Sequence, residues 1–237
     1  MENVKLEYAH AATTFEGVMM WDAASSERRP GVLIAHAWGG VTDHERRVAE
    51  RLVESGYVAF CADLYGVGVR PTSKPEAFAL MRPLRDDPAT LRARATAALD
   101  QLRAHPLVDA RRIAAIGYCF GGGAVLELAR SGADVAATVS FHGTLATSAP
   151  EDARHIRGKV LALHGALDTH IAAQVPAFCE AMIAANVDWQ LHVYGGAAHS
   201  FTDIHAGDDA SSGSAYHALA DRRSWQAMLN MFDEVFA

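Results

Sequence analysis

The sequence is short of the features that mark exported, membrane-spanning and nucleic-acid-binding proteins. It contains three cysteines in 237 residues, too few for a disulfide framework, so we expect a reducing, cytoplasmic compartment. No apolar run approaches the roughly 18 residues of a membrane span. The N-terminal residues lack the apolar segment of an export signal, so we do not expect export by that route. Acidic residues outnumber basic ones, 28 to 21, and neither nucleic acid nor a membrane is expected as a partner.

What the chain does have is apolar sequence in a regular rhythm. Hydrophobic residues make up 50% of it, enough for one sizeable core, and we expect a single α/β domain over residues 1–237. Short apolar runs predict strands at 4–9, 17–21, 32–35, 57–62, 113–116, 135–141, 159–164 and 189–194. Helical periodicity and caps predict helices at 42–54, 89–104, 124–130, 174–185 and 222–236, with a loop and a short helix in 69–86. This alternation predicts a mostly parallel sheet with helices on both faces.

The stretch from Ile113 to Gly123 predicts the chemistry. An apolar strand turns through Gly117 and Gly121 into a helix, and Cys119 stands midway between the two glycines. Gly-x-nucleophile-x-Gly at a strand-to-helix turn is typical of the nucleophile elbow of α/β hydrolases. The glycines are needed because a side chain at either position would clash with a neighbouring strand or helix. The elbow places the Cys119 sulfur near a helix N-terminus, whose dipole favours a thiolate.

Two further residues follow predicted strands at the same edge of the sheet. Asp168 comes just after the strand at 159–164, and His199 comes just after the last strand. The chain order of nucleophile, acid and histidine is that of an α/β hydrolase. We therefore expect Cys119 to attack a carbonyl carbon and His199 to move the proton. Asp168 would fix the histidine tautomer and stabilise its charge.

A loop after the strand at 32–35 is expected to complete an oxyanion hole. The backbone N–H of Phe120, the residue after the nucleophile, supplies one donor. We assign the second donor to the N–H of Trp38, with that of Ala37 as the near alternative.

The motifs together resemble the dienelactone hydrolase family. The resemblance rests on Gly-Tyr-Cys-Phe-Gly-Gly at 117–122, the Asp168 loop, Tyr-Gly-Gly-Ala-Ala-His at 194–199 and Cys-Ala-Asp-Leu-Tyr-Gly at 61–66. It covers the chain from about Gly31 to the C-terminus. It implies an α/β-hydrolase fold, no cofactor, and hydrolysis of small esters or lactones through a triad of Cys119, Asp168 and His199.

The chain departs from the family pattern at two positions. Family members commonly carry a Glu, which takes part in thiol activation, where this chain has Ala37. His199 would then be the sole base, unless another acid such as Glu45 reaches the thiol. The resemblance also implies an arginine for a substrate carboxylate four residues after the catalytic histidine, where this chain has Asp203. An anionic lactone is therefore disfavoured there, with Arg82 or Arg85 as candidate replacements.

The predicted partner is a small ester or lactone, and no cofactor is expected. The candidate pocket residues are His36, Ala37, Tyr118, Arg82 and Arg85. For His36, a hydrogen bond to its own loop backbone is the alternative. The remaining polar residues of the C-terminal part, His205, His217, Asp208 and Asp209, have no recognisable metal-ligand spacing, so no metal is expected. The sequence carries no signal for an oligomeric state.

Two alternative functions stay open from the sequence. A thiol-based redox sensor would use Cys119 with a resolving thiol, but neither Cys61 nor Cys179 has the Cys-x-x-Cys spacing of such pairs. A non-catalytic hydrolase-fold binding protein would keep the fold and lose turnover. The intact triad disfavours it, and the alanine at position 37 favours it.

Overall fold

The computed structural model describes all 237 residues, built around one sheet of eight strands. The strands are β1 (Glu2–His10), β2 (Thr13–Trp21), β3 (Arg29–Ala35), β4 (Val58–Ala62), β5 (Val108–Tyr118), β6 (Ala137–Phe141), β7 (Lys159–Gly165) and β8 (Trp189–Tyr194). Their order across the sheet is β1-β2-β4-β3-β5-β6-β7-β8. β1 pairs antiparallel with β2, and β2 antiparallel with β4, whereas β3 to β8 all pair in parallel. The carboxyl ends of the parallel strands therefore share one edge, where α/β sheets place their sites.

Seven helices cover the two faces of the sheet. They are α1 (Asp43–Glu54), α2 (Lys74–Asp86), α3 (Pro88–Ala104), α4 (Phe120–Arg130), α5 (Thr169–Ala172), α6 (Val175–Ala184) and α7 (Ala218–Phe236). Apolar side chains of α1 and α7 pack on one face of the central strands. Those of α2, α3 and α4 pack on the other, and α6 extends the cover beside β7. The architecture confirms the predicted α/β-hydrolase fold with a mostly parallel sheet.

The elements differ from the sequence prediction mainly at their ends. In the segment at 69–86, the predicted loop and helix are both present, but the helix is longer than expected: α2 takes up 13 residues of it. Its prolines do not act only as breaks: Pro75 lies in the first turn, where its missing N–H costs nothing, and the Ser73 hydroxyl caps that turn. β5 begins five residues early, at Val108, which pairs with Arg29 ahead of a bulge. Such pairing is set by the neighbouring strand and leaves no local signal.

The elbow between β5 and α4 leaves no room for side chains at its glycines. A Cβ atom on Gly117 would overlap the carbonyl group of Gly121. A Cβ atom on Gly121 would overlap the carbonyl group of Ala35 on β3. The turn is closed by backbone packing alone, which fixes the position of the residue at its tip.

None of the helices combines the length and the apolar character that crossing a bilayer requires.

Candidate active site

Cys119 stands at the tip of the elbow in a strained backbone conformation. Its φ and ψ angles are 53° and −113°, a region that residues with a side chain rarely occupy. Cys119 N donates to the carbonyl of Phe141 on β6 (3.0 Å), which ties the strained residue to the sheet. α4 begins at the next residue, and the side chain is half-buried. The elbow thus presents the thiol at the carboxyl edge of the sheet, as predicted.

Asp168 and His199 meet at the same edge. His199 Nδ1 lies 2.7 Å from Asp168 Oδ2, and the carboxylate is fully buried. The other oxygen, Oδ1, accepts from His170 N at 3.2 Å and caps α5. Because both oxygens are engaged, the carboxylate has one orientation, and it directs the His199 ring. A carboxylate on Nδ1 leaves Nε2 as the atom that can exchange a proton with a nucleophile.

The surroundings of His199 favour its protonated form. Burial alone would lower the pKa of His199, but the Asp168 hydrogen bond and the facing Cys119 thiolate outweigh burial and raise it to about 10. At neutral pH this imidazole therefore holds its proton. An imidazolium beside a thiolate is the resting pair expected of an activated cysteine nucleophile.

The Glu45 side chain extends from α1 to the loop where the second oxyanion donor is predicted. The side chain is fully buried, and Oε1 accepts from Ala37 N at 3.0 Å. Oε2 accepts from Thr42 N (2.8 Å) and Thr42 Oγ1 (2.6 Å), which completes the predicted capping box of α1. Ala37 N–H is thereby occupied, whereas no hydrogen bond within the chain engages Trp38 N–H. Of the two donors left open by the sequence, Trp38 is the one still free to bind a ligand.

His36 does not line the cavity beside Cys119, contrary to its prediction as a pocket residue. It is fully buried, and its Nε2 accepts from Leu64 N at 3.1 Å. Since Nε2 is the acceptor, the proton lies on Nδ1, which donates to Ala37 O at 2.6 Å. Burial lowers the pKa of His36, so the ring is neutral. His36 thus takes the alternative role considered for it, hydrogen bonding to loop backbone, rather than a place in the pocket.

The cavity beside Cys119 has a volume of about 190 Å³ and carries no lysine or arginine. Ala37 and Tyr118, two of the predicted pocket residues, line it together with Trp38, the predicted oxyanion donor. Its acidic members are Glu45 and Asp203. Because the Glu45 oxygens are already hydrogen-bonded, Asp203 is the anion that can meet a ligand.

Arg82 and Arg85 are also absent from this cavity, so they do not replace the missing arginine. Arg82 is 78% exposed and pairs with Asp86 at 3.5 Å. Arg85 lines a separate cavity of about 170 Å³ together with Phe120 and Thr144. Both arginines lie on α2, whose side chains at these positions do not reach the Cys119 cavity.

His142 is a cavity residue to which the sequence gave no firm role. It follows β6, is buried, and its Nε2 lies 2.8 Å from Thr202 Oγ1. Its ring lies 5.2 Å from the His199 ring, edge to face. Burial and the charge of His199 hold the pKa of His142 well below its ordinary value. The sequence signal that could have identified His142 is the same one that identified Asp168, namely a polar residue that follows a parallel strand.

The comparison with known families decides the wider assignment. A sequence profile of the dienelactone hydrolase family matches residues 15–236. The chain belongs to the dienelactone hydrolase family. This membership confirms the predicted family, and with it the predicted class of ester or lactone hydrolase.

Individual members of the dienelactone hydrolase family agree with this assignment. A solved structure named m3DLH is 45% identical, covers 100% of this chain and 99% of its own, and has a TM-score of 0.96. A dienelactone hydrolase-like promiscuous phosphotriesterase from metagenomic libraries is 39% identical, with 99% and 98% coverage and a TM-score of 0.92. A putative carboxymethylenebutenolidase of Synechocystis is 29% identical over 86% of this chain and 85% of its own.

Proposed function

We propose that this dienelactone hydrolase family member hydrolyses small, neutral carboxylic esters or lactones through a thioester on Cys119. One observation carries the proposal. A cysteine at a strained elbow faces a histidine that a buried carboxylate holds at 2.7 Å. The family supplies the class of reaction, and this geometry supports the assignment of the residues.

In the acylation step, the Cys119 thiolate attacks the carbonyl carbon and the carbonyl π electrons move to oxygen. When the tetrahedral intermediate collapses, the C–O bond to the alcohol breaks. His199 Nε2 gives its proton to the leaving alkoxide, leaving a thioester and a neutral imidazole. Asp168 remains ionised and keeps the ring oriented.

In the deacylation step, His199 acts in the opposite direction. Its neutral Nε2 takes a proton from a water molecule, whose oxygen attacks the thioester carbon. The C–S bond breaks, the acid is released, and the thiolate–imidazolium pair is restored. No second acid is required, because one proton moves to and from His199 in each cycle.

The oxyanion formed in both steps needs two donors aimed at it. Phe120 is the first residue of α4, so its N–H has no partner within the helix and lies at the positive end of the helix dipole. Trp38 N–H is free of other hydrogen bonds. These two groups support the assignment of the hole to Phe120 and Trp38.

The charges of the cavity favour neutral substrates. Asp203 lines it, and no lysine or arginine does. Two like charges about 5 Å apart repel by about 3 kcal/mol at an effective dielectric constant near 20. A substrate carboxylate near Asp203 would therefore bind weakly, whereas the binding of a neutral ester would not be weakened by this repulsion.

A burst assay tests the proposal. Purified protein is mixed with a neutral nitrophenyl ester, and the product release is followed while quenched samples are weighed by mass spectrometry. We expect an acyl adduct on Cys119 that forms and clears, and its loss in Cys119→Ala. Cys179→Ala is the matched control, since Cys179 lies on α6 and does not line the cavity.

Other outcomes of the burst assay would change the conclusion. An adduct that never clears would leave a reactive binding protein rather than a hydrolase. Folded protein without any adduct would remove the catalytic proposal for esters. A disulfide formed on Cys119 by peroxide, without ester turnover, would favour the redox alternative. The redox alternative lacks support, because it needs a second, reactive thiol. Burial is the main cause that raises the pKa of both other cysteines, Cys61 and Cys179, and so disfavours their thiolates.

Neutral phosphate triesters are a second candidate substrate class. The observation in their favour is the 39% identical relative described as a promiscuous phosphotriesterase. A cavity without lysine or arginine also suits an uncharged triester. The thiolate would attack phosphorus, the aryl oxide would leave with the His199 proton, and water would hydrolyse the phosphoryl-cysteine. Release of nitrophenol from a dialkyl nitrophenyl phosphate by wild type but not by Cys119→Ala would support it.

A further inference from the structure

Glu45 stands out among the buried charged groups, because the triad chemistry does not use it although it lines the Cys119 cavity. Its carboxylate accepts three hydrogen bonds, all from the short segment between Ala37 and Thr42. A helix cap needs only the Thr42 part of this set. The remaining contact, from Oε1 to Ala37 N at 3.0 Å, reaches back eight residues to the loop that follows β3.

The backbone on both sides of Trp38 N–H is held by hydrogen bonds. Ala37 N donates to Glu45, and Ala37 O accepts from His36 Nδ1 (2.6 Å) and Gly40 N (3.4 Å). Trp38 O accepts from the Tyr65 hydroxyl at 3.1 Å. Trp38 N–H itself has no partner in the chain. Because Trp38 lines the cavity beside Cys119, this N–H is available to a ligand.

Peptide geometry links these contacts to the direction of the free N–H. In a planar trans peptide the C=O of Ala37 and the N–H of Trp38 point in opposite directions. His36 and Gly40 hold the C=O end, and Glu45 holds the preceding N–H, so Ala37 cannot rotate about either backbone bond. Trp38 N–H is thereby kept directed away from the loop interior.

We propose that Glu45 is the positioning residue of the oxyanion hole, holding the Ala37–Trp38 peptide so that Trp38 N–H meets the developing oxyanion. This inference rests on the proposed hydrolase function. It gives the carboxylate a role other than activation of the thiol. His36 acts with it by holding the carbonyl of the Ala37–Trp38 peptide, while Glu45 holds the N–H of the preceding peptide.

The experiment compares Glu45→Gln with Glu76→Gln. Glu76 is the matched control, because its Oε2 accepts from Thr72 N (2.8 Å) and Thr72 Oγ1 (3.0 Å), the same pattern as Glu45 with Thr42. It lies on α2, away from the cavity. Three quantities are measured for each protein: kcat and KM with a neutral nitrophenyl ester, and the rate of Cys119 alkylation by iodoacetamide.

Alkylation is the decisive comparison, since it needs the thiolate and forms no oxyanion. In Glu45→Gln one carboxylate oxygen becomes an NH₂ group, which cannot accept a hydrogen bond. The side chain can therefore no longer accept from both Ala37 N and Thr42. We expect kcat to fall about 100-fold, the order seen when one oxyanion donor is lost. KM and the alkylation rate should stay within about twofold of wild type, and Glu76→Gln should match wild type throughout.

Two results would overturn the proposal. If kcat of Glu45→Gln stays within twofold of wild type, the hydrogen bond does not position the hole. If alkylation falls as far as kcat, Glu45 acts on the thiol or on folding instead. Should Glu45→Gln not fold, Glu45→Asp replaces it, because the shorter carboxylate keeps its charge and loses its reach to Ala37. A wild type without any acyl adduct would instead reject the hydrolase proposal itself.

Discussion

His199 Nδ1 lies 2.7 Å from a carboxylate oxygen of Asp168, although 31 residues separate them in the chain. The contact exists because β7 and β8 are parallel neighbours, so the loops that follow them leave the sheet side by side. Ala166 N bonds to Tyr194 O (3.0 Å) and Leu167 N to Ala197 O (2.8 Å), which joins the two loops directly. The predictions below test what this arrangement and its surroundings do.

The first prediction concerns the pH dependence of the thiol. The pKa of His199 is raised to about 10, so the imidazolium that pairs with the thiolate persists below that pH and is lost above it. At pH 6.5 wild type should therefore react with iodoacetamide at least tenfold faster than His199→Gln. The difference should shrink as the pH approaches 10. Both rates are measured by quenching the alkylation reaction at set times and weighing the protein by mass spectrometry. Equal rates at pH 6.5 would contradict the ion pair.

The second prediction concerns substrate charge. Asp203→Asn removes the free anion of the cavity but keeps a side-chain oxygen that can accept from His205 N, as Oδ1 does at 2.9 Å. We expect kcat/KM for an anionic ester to rise about tenfold relative to a neutral ester, equivalent to about 1.4 kcal/mol. Asp208→Asn, which removes a charge outside the cavity, is the control. An unchanged ratio in Asp203→Asn would mean that substrates do not approach this side chain.

The third prediction concerns the elbow. Gly121→Ala places a Cβ atom into the Ala35 carbonyl, and backbone atoms on both sides cannot move apart without opening the sheet. We expect a loss of about 3 kcal/mol or more in the free energy of unfolding. Gly195→Ala is the matched control, because no atom lies within 4 Å of a Cβ there. Urea unfolding measures both, and similar stabilities would show that the elbow tolerates a side chain.

The fourth prediction concerns a buried charge pair behind the elbow. Arg130 is 1% exposed, and its Nη1 lies 2.8 Å from Glu127 Oε1. Glu127→Ala leaves that guanidinium buried without its counter-ion, so we expect destabilisation by about 3–5 kcal/mol. Arg82→Ala, which breaks a largely exposed pair with Asp86, should cost less than about 1 kcal/mol. A small effect of Glu127→Ala in urea unfolding would imply that Arg130 finds another partner.

Much of the fold could be predicted because its signals are local. β8 has the predicted bounds, and α1 begins one residue after the predicted start, because an apolar run and a capping box are readable in a few residues. The length of α2 was underestimated, because the sequence does not distinguish a proline that a helix accommodates from one that ends it. The early part of β5 was missed because its pairing with Arg29 depends on a neighbouring strand.

The candidate site divides along the same line. The proposed triad residues could be selected from the sequence, since Cys119 stands between two glycines and the acid and histidine follow strands in a known order. Arg82 and Arg85 were wrongly expected near Cys119, and the sequence could not decide between the two roles of His36, because which way a side chain turns depends on what packs around it.

The order of strands and helices, the tight elbow and the identity of the groups that carry charge could all be predicted from the amino-acid sequence. They follow from backbone sterics, hydrophobic periodicity and side-chain chemistry, all of which act over a few residues. Three features depend on the folded chain: Glu45 holds Ala37, Trp38 N–H is left free, and Asp203 is the open charge of the cavity. Hydrogen bonds form and cavities open between segments distant in the chain, and their partners are chosen by packing.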